Sequence, residues 1–307
     1  MLPFDEPRIM LLQHLRYLVA LARERHFARA ADACRVAQPT LSEGIRQLEE
    51  DLGVPIVERR QRFQGLTPAG ERVLAWAHRI LADYESLSQE VGELRDGLVG
   101  KLTLAAIPAT HPVVARLTTP LIDAHPKLSI MVLSQTSLEI QRSLDDFSVD
   151  AGLTYLDNEP LERVKTQPLY HERYVLVTQA DGPLGRRTEV TWKEAATLRL
   201  CLLADSMQNR RIIDGIFLRA GATPRPPVET LSLLTVCAHV ALGGWATILP
   251  HTFGPFMSPL PNVVVLPLVE PSVEHVIGLA VAKRDPLPPL VRALLEVARG
   301  VTIDAAR

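Results

Sequence analysis

Apolar residues recur at helical spacing from the N-terminus to Leu94, and from Lys101 onward short apolar runs alternate with helical patterns. Leu15, Leu18, Val19 and Ala22 share one face of a first helix, and Phe27, Ala30, Ala31 and Cys34 share one face of a second. Leu41, Ile45, Leu48 and Leu52 then form a single apolar stripe. Pro39 interrupts what would be one continuous pattern, and proline is tolerated in the first turn of a helix, where its missing N–H has no partner to lose. One helix therefore ends near Cys34 and another starts around Gln38, with "RVAQ" as the turn; Gly53 closes the second. The three helices predict a helix-turn-helix. "VPIVERRQRFQGLTP" reads as a two-stranded wing carrying Arg59, Arg60 and Arg62. Thr67 and Pro68 then open a long helix on which Val73, Ala77, Ile80, Tyr84, Leu87, Val91 and Leu94 hold an a/d heptad spacing until Gly97 and Gly100 break it. A compact winged unit leaves that helix little else to pack on, so the seam predicts pairing of two chains.

Beyond Gly100 the texture is α/β. "KLTLAAI", "LSIMVLS" and "VDAGLTY" read as strands separated by helices, the signature of parallel βαβ units. "RVKTQPLY" and "ERYVLVTQ" read as two strands with a tight turn at His171, followed by further strands and helices up to "LPPLVRALLEVARG". That is too much for one small sheet. The expected fold is α/β: a winged helix-turn-helix over 1–66, a linker helix over 67–97, and a two-lobed region over 101–307. Lobe one is expected at about 101–167 and 268–307, and lobe two at about 168–267.

Composition narrows the function classes. The 307 residues carry a formal net charge of −2, so global charge announces no nucleic-acid partner. The N-terminus lacks a signal-peptide pattern and no apolar run reaches membrane-span length, so the expected location is the cytoplasm, with no membrane partner. Three well-separated cysteines give neither a disulfide framework nor a zinc spacing, and the nine histidines are scattered; no metal and no cofactor is expected. There is no P-loop, G-x-S-x-G or H-E-x-x-H, hence no catalytic residues to name. An enzyme using the α/β cleft and a transport-type binding protein remain the alternatives; the winged unit and the missing export signal weigh against the second.

Candidate chemistry lies first on the helix after the turn. Gln38, Thr40, Ser42, Glu43 and Arg46 fall opposite its apolar stripe, and Gln, Thr, Ser and Arg are side chains that read base edges or phosphates. They cluster in the half of a recognition helix that enters the major groove.

In "HFARAAD", "AQPTLSEGIRQLEEDLG", "ER" and "LTPAG", in that order and spacing, the chain resembles LysR-type transcriptional regulators. The resemblance covers nearly the whole chain, strongly to Gly100 and mainly by pattern after it, where the effector-binding region is similar to periplasmic solute-binding proteins. It implies that Gln38, Pro39, Thr40, Ser42 and Arg46 read double-stranded promoter DNA, that Arg59 and Arg62 lie on the wing, and that the linker helices pair into homodimers and these into homotetramers of a bacterial regulator. RNA polymerase is left open as a further partner. Two departures stand out: Ala37 replaces the usual serine N-cap, and Glu43 stands where many members are basic or small.

Ligands of open α/β sheets bind at strand carboxyl ends, where helix N-termini converge. Those ends carry Ala109, Thr110, His111, Thr136, Ser137, Ser206, Gln208 and Asn209, with Arg210 and Arg211 on a first turn expected to be solvated. The set suits a small polar effector, an anion in particular. The first helices resemble the peroxide-sensing branch, but the positions of that branch's reactive cysteine pair align with Gln208 and Phe217, and Cys201 and Cys237 sit among apolar neighbours. Thiol sensing is not expected.

Overall fold

A computed structural model describes residues 8–59, 63–301 and 303. The chain divides into two compact units, Met1–Arg95 and Asp96–Arg307.

In the first unit, α1 (Arg8–Glu24), α2 (Phe27–Cys34) and α3 (Gln38–Leu52) enclose a core in which Leu18, Leu21, Ala30, Leu41, Ile45 and Leu48 lose all contact with solvent. Arg35 takes the left-handed conformation (φ 56°) that ends α2, and its N–H bonds back to Asp32. Helices α1 and α3 cross closely because Gly44 has no side chain: a Cβ there would lie 2.6 Å from Tyr17 Cδ2. The wing is β1 (Val57–Arg59) paired antiparallel with β2 (Phe63–Leu66). Helix α4 (Pro68–Asp96) follows. Thr67 caps it, its Oγ1 accepting from Gly70 N at 2.9 Å, and Gly70 is required because a Cβ there would meet the Ile56 carbonyl at 2.1 Å. Thus the sequence "LTPAG" fixes where the long helix leaves the wing.

The second unit begins with β3 (Gly100–Ala106), α5 (His111–Ala124), β4 (Leu128–Ser134), α6 (Ser137–Asp145) and β5 (Ala151–Tyr155). Strand β3 is parallel to β4 on one side and β5 on the other, so its carboxyl end is a topological switch point. Next come β6 (Val164–Glu172), β7 (Tyr174–Gln179), β8 (Val190–Thr191), α7 (Trp192–Ala195), β9 (Cys201–Leu203), α8 (Gln208–Arg219), β10 (Val228–Thr230) and α9 (Leu233–Leu242). The chain ends with β11 (Thr247–Pro250), α10 (Gly254–Met257), β12 (Val263–Val269), β13 (His275–Ala282) and α11 (Pro289–Gly300).

Two sheets organise these elements: β4-β3-β5-β13-β6 in one lobe and β11-β7-β12-β8 in the other. A parallel bridge between Leu200 and Ala246 ties the β10–β9 pair to the second sheet. The expected turn at His171 does not form. Strand β6 runs through His171 to Glu172 and pairs antiparallel with β13, whereas β7 pairs with β11 and β12. Arg173 alone separates the two strands, too little chain for a hairpin, so the segment crosses between lobes instead of folding back. The return crossing lies between Val269 and His275.

Candidate nucleic-acid interface and ligand cleft

On α3 the two faces differ, although Leu52, expected on the buried stripe, is 47 % exposed at the helix end. Leu41, Ile45 and Leu48 are fully buried, while Gln38, Pro39, Thr40, Glu43 and Arg46 are exposed and Ser42 is half-buried. Ala37 supplies no side-chain cap, so the first-turn N–H groups are left for another acceptor. Glu49 fixes the wing against this helix, its carboxylate accepting from Ile56 N at 2.8 Å and Val57 N at 3.0 Å. Phe27 and Phe63 stack edge to face, holding β2 against α2.

Arg46 is not free. Its Nε and Nη2 donate to Glu43 at 3.0 and 2.5 Å, and Glu50 lies 3.4 Å from Nη1. Hydrogen bonding from Arg46 holds the Glu43 carboxyl below its usual range. Glu43, puzzling in the sequence, is the partner that masks this arginine. The side chain of Arg59, together with Arg60 and Arg62, lies outside the described residues.

Along α4 the heptad positions separate into two groups. Ala77 is fully buried in the winged unit's core, and Val73 and Leu81 pack against that core. From Ile80 onward the stripe is increasingly bare: Tyr84 is 45 % exposed, Leu87 and Val91 are 61 %, and Leu94 is 88 %. The free part of the seam is therefore Ile80, Tyr84, Leu87, Val91 and Leu94.

At the carboxyl end of β3 the lobes close on a cavity of about 10 Å³, room for one water, lined by Ile107, Ala109, Thr136, Ser137, Gln208 and Asn209 among others. Five of the eight expected effector residues meet there. The other three do not. Thr110 is fully buried and its hydroxyl donates to the carbonyl of Ile107 at 2.9 Å. His111 begins α5 and faces a different groove. Ser206 is exposed, and its carbonyl accepts from Arg211. Within the cavity Thr136 spends its side chain on capping α6, bonded to Glu139 in a reciprocal capping box. Asn209 Nδ2 donates to the Tyr155 hydroxyl at 2.8 Å. Ser137 Oγ and Gln208 Oε1 are buried without a partner. The two arginines expected in solvent are engaged. Arg210 is 7 % exposed and bonds Asp214, Glu229 and the Leu203 carbonyl, while Arg211 reaches from α8 to Glu159 after β5, at 2.6 Å, and latches the lobes.

The strand crossing holds a cluster that sequence reading missed. Glu172 is fully buried and accepts from the hydroxyl of Tyr155; Tyr170 lies at 3.5 Å. Tyr174 packs beside Trp192 and His275, and His275 Nδ1 is 3.3 Å from Asp157. Burial pushes the Glu172 carboxyl up to about 8, so it is protonated at neutral pH. The same burial and the neighbouring Glu172 raise Tyr155 and Tyr174 well above their usual range. The available signal was positional: Tyr170, Glu172 and Tyr174 fall on one side of an alternating segment, a carboxylate where the pattern calls for an apolar residue.

Burial also raises all three thiols, Cys34, Cys201 and Cys237, which suppresses thiolate. Among the described residues there is no group of side chains arranged to hold a metal ion, and no helix is long and apolar enough to cross a membrane.

Comparison with known proteins agrees with this architecture. The model of the bacterial regulatory helix-turn-helix protein, lysR family, matches residues 12–71, and that of the LysR substrate binding domain matches residues 95–302. The DNA-binding transcriptional dual regulator OxyR of Escherichia coli (strain K12) is 32% identical over 291 residues, 94% of this chain and 95% of that protein. The hydrogen peroxide-inducible genes activator of Dickeya chrysanthemi is 31% identical over 279 residues, 91% of each chain. A full-length OxyR variant from Pseudomonas aeruginosa superposes with a TM-score of 0.75 at 29% identity, over 97% of this chain and all of that one. Full-length CbnR complexed with its target DNA shares the fold, with a TM-score of 0.64 at 21% identity over 94% and 99% of the two chains.

Proposed function

The chain belongs to the LysR family of helix-turn-helix transcriptional regulators, and on that premise we propose how its parts divide the work. It is a DNA-binding regulator and not an enzyme; the relatives it matches are transcription regulators. Helix α3 reads promoter DNA through Gln38, Thr40 and Ser42, with the uncapped first turn at Pro39 meeting phosphate. Arg46 joins only when it leaves Glu43, and Arg59 and Arg62 bind backbone from the wing. The observation that carries this reading is the polar, solvent-facing N-terminal half of a helix whose opposite face is buried at Leu41, Ile45 and Leu48.

The bare stripe Ile80–Leu94 pairs two chains, Val73 and Ala77 holding the base of the helix, and such dimers assemble further into homotetramers. The protein acts in the cytoplasm, where promoter DNA and RNA polymerase are met. The cleft between the lobes takes a small polar effector. Ser137 and Gln208, each with a buried unpartnered oxygen, supply hydrogen bonds, and α8 starts without a side-chain cap, which suits an anion. Opening the Arg211–Glu159 latch admits the effector, and its unequal affinity for the two lobe arrangements is what shifts the regulator.

Fluorescence anisotropy with labelled fragments of the regulator's own upstream DNA tests the reading. Saturable binding that falls away as salt rises is expected; equal affinity for every fragment and for scrambled DNA would remove sequence-specific recognition.

A further inference from the structure

A second, far larger opening lies on the other side of Pro108 from the polar cavity. It encloses about 830 Å³, within the range of small-molecule pockets. One lobe contributes the first turns of α5, at Pro112 and Ala115, and the end of β4 at Ser134. The other contributes the start of α9, at Leu233 and Cys237, and the region of α10, at Phe253 and Met257. Met257 and Phe253 are buried as its floor, while Phe256 at 62 % and Leu234 at 80 % stand exposed at its rim.

Its chemistry is the opposite of the polar cavity's. Among the described residues no lysine, arginine, aspartate or glutamate lines it, and burial raises the Cys237 thiol above its usual range. A charged occupant would lose its hydration and find no counter-ion, a cost of several kcal/mol for a desolvated charge. Two phenyl rings, a thioether and a thiol form soft walls suited to a flat ring system. Among the described lining residues the side-chain hydrogen-bonding groups, besides the weak Cys237 thiol, are His111, Ser134 and Ser232, and the Ser232 hydroxyl already caps α9 by accepting from Thr235 N. His111 and Ser134 remain to fix one polar end.

We infer that this groove binds an uncharged aromatic small molecule carrying a single hydroxyl or carbonyl, at a site separate from the polar cleft. Because both lobes line it, an occupant is sensitive to their arrangement, as one in the cleft would be. Its size and concavity match a small molecule better than a docked helix, and the test separates the two.

The full chain is titrated with Nile red, an uncharged aromatic dye whose fluorescence rises and shifts blue in apolar surroundings. Saturable binding of one dye per chain is expected. Ala115→Trp, placed at an exposed position on the groove, weakens it about tenfold, and Phe256→Ser weakens it in the same direction. Leu218→Ser, which removes an equally exposed apolar side chain elsewhere, leaves it unchanged. 1-Naphthol displaces the dye at about a tenth of the concentration needed for 1-naphthoate. The inference is overturned if no saturable binding occurs, or if neither groove variant changes it. Equal displacement by the two naphthalenes would overturn the uncharged class. Groove variants that change the molecular mass of the assembly while leaving dye binding intact would assign the groove to a second copy of the chain instead.

Discussion

Helix α3 and the inter-lobe cleft present the same kinds of side chain, Gln, Thr and Ser, yet the fold treats them oppositely. Gln38 and Thr40 stand in solvent, Ser42 is half-buried, and none caps its own helix. In the cleft, Thr136 caps α6 and Asn209 supports Tyr155, while Thr110, buried outside it, donates to the backbone. Among the described lining residues, Ser137 and Gln208 keep buried polar atoms without a partner. Residue type announces hydrogen-bonding capacity; exposure and prior partners decide whether that capacity faces outward to DNA or inward to hold the lobes.

The largest expected effect lies at the inward-facing end of this contrast. Glu172 titrates at about 8 in the folded chain against about 4.5 unfolded. The folded state therefore keeps a proton that the unfolded state has lost. Its stabilisation is complete below pH 4.5 and disappears as pH rises through 8, an upper bound of about 5 kcal/mol. Thermal melts from pH 5 to 9 should fall with pH in the wild type and flatten in Glu172→Gln; parallel curves would mean the carboxyl is charged where it sits. Next is the bare seam. Replacing Leu87 and Val91 together by glutamate should dissociate the chain pair and weaken operator binding about 100-fold, or about 2.8 kcal/mol, read by light scattering and anisotropy. An intact dimer would show that the stripe packs elsewhere.

Smaller effects sharpen the contrast itself. Thr40→Ala and Ser42→Ala should each cost about 1–3 kcal/mol of operator affinity without lowering the melting temperature. Thr136→Val should do the reverse, costing about 1 kcal/mol of stability through the lost cap. Smallest is Glu43→Gln: releasing Arg46 to phosphate should steepen the salt dependence of DNA binding by about 0.9 per decade of salt, on all sequences alike. An unchanged slope would mean Arg46 points away from the duplex.

The winged unit was legible in the sequence because its signals are local. Pro39, Gly53 and Thr67 punctuate helices whose stripes lie within one element, and the structure places each where that logic requires. The crossing at Arg173 was not legible. Strands β6 and β7 carry similar alternation, and what separates them is pairing of β6 with β13, about a hundred residues later. Part of the cleft was readable and overlooked: Thr136 followed by Glu139 is a capping-box spacing, which foretells that the hydroxyl is occupied. Of the partners of Arg210 and Arg211, Asp214 lies four residues along the same helix and was readable, whereas Glu229 and Glu159 come from other elements and were not. The apolar groove could not be foreseen either, for its walls come from four separate segments of both lobes.

The measurement that bears most directly on this account compares Thr40→Ala with Thr136→Val in the full chain, without effector, by anisotropy on one operator fragment. Both replace a threonine at the start of a helix. Thr40→Ala is expected to lose roughly tenfold or more in affinity while Thr136→Val binds as the wild type does. Operator binding that survives Thr40→Ala and fails in Thr136→Val would contradict it, placing recognition outside α3.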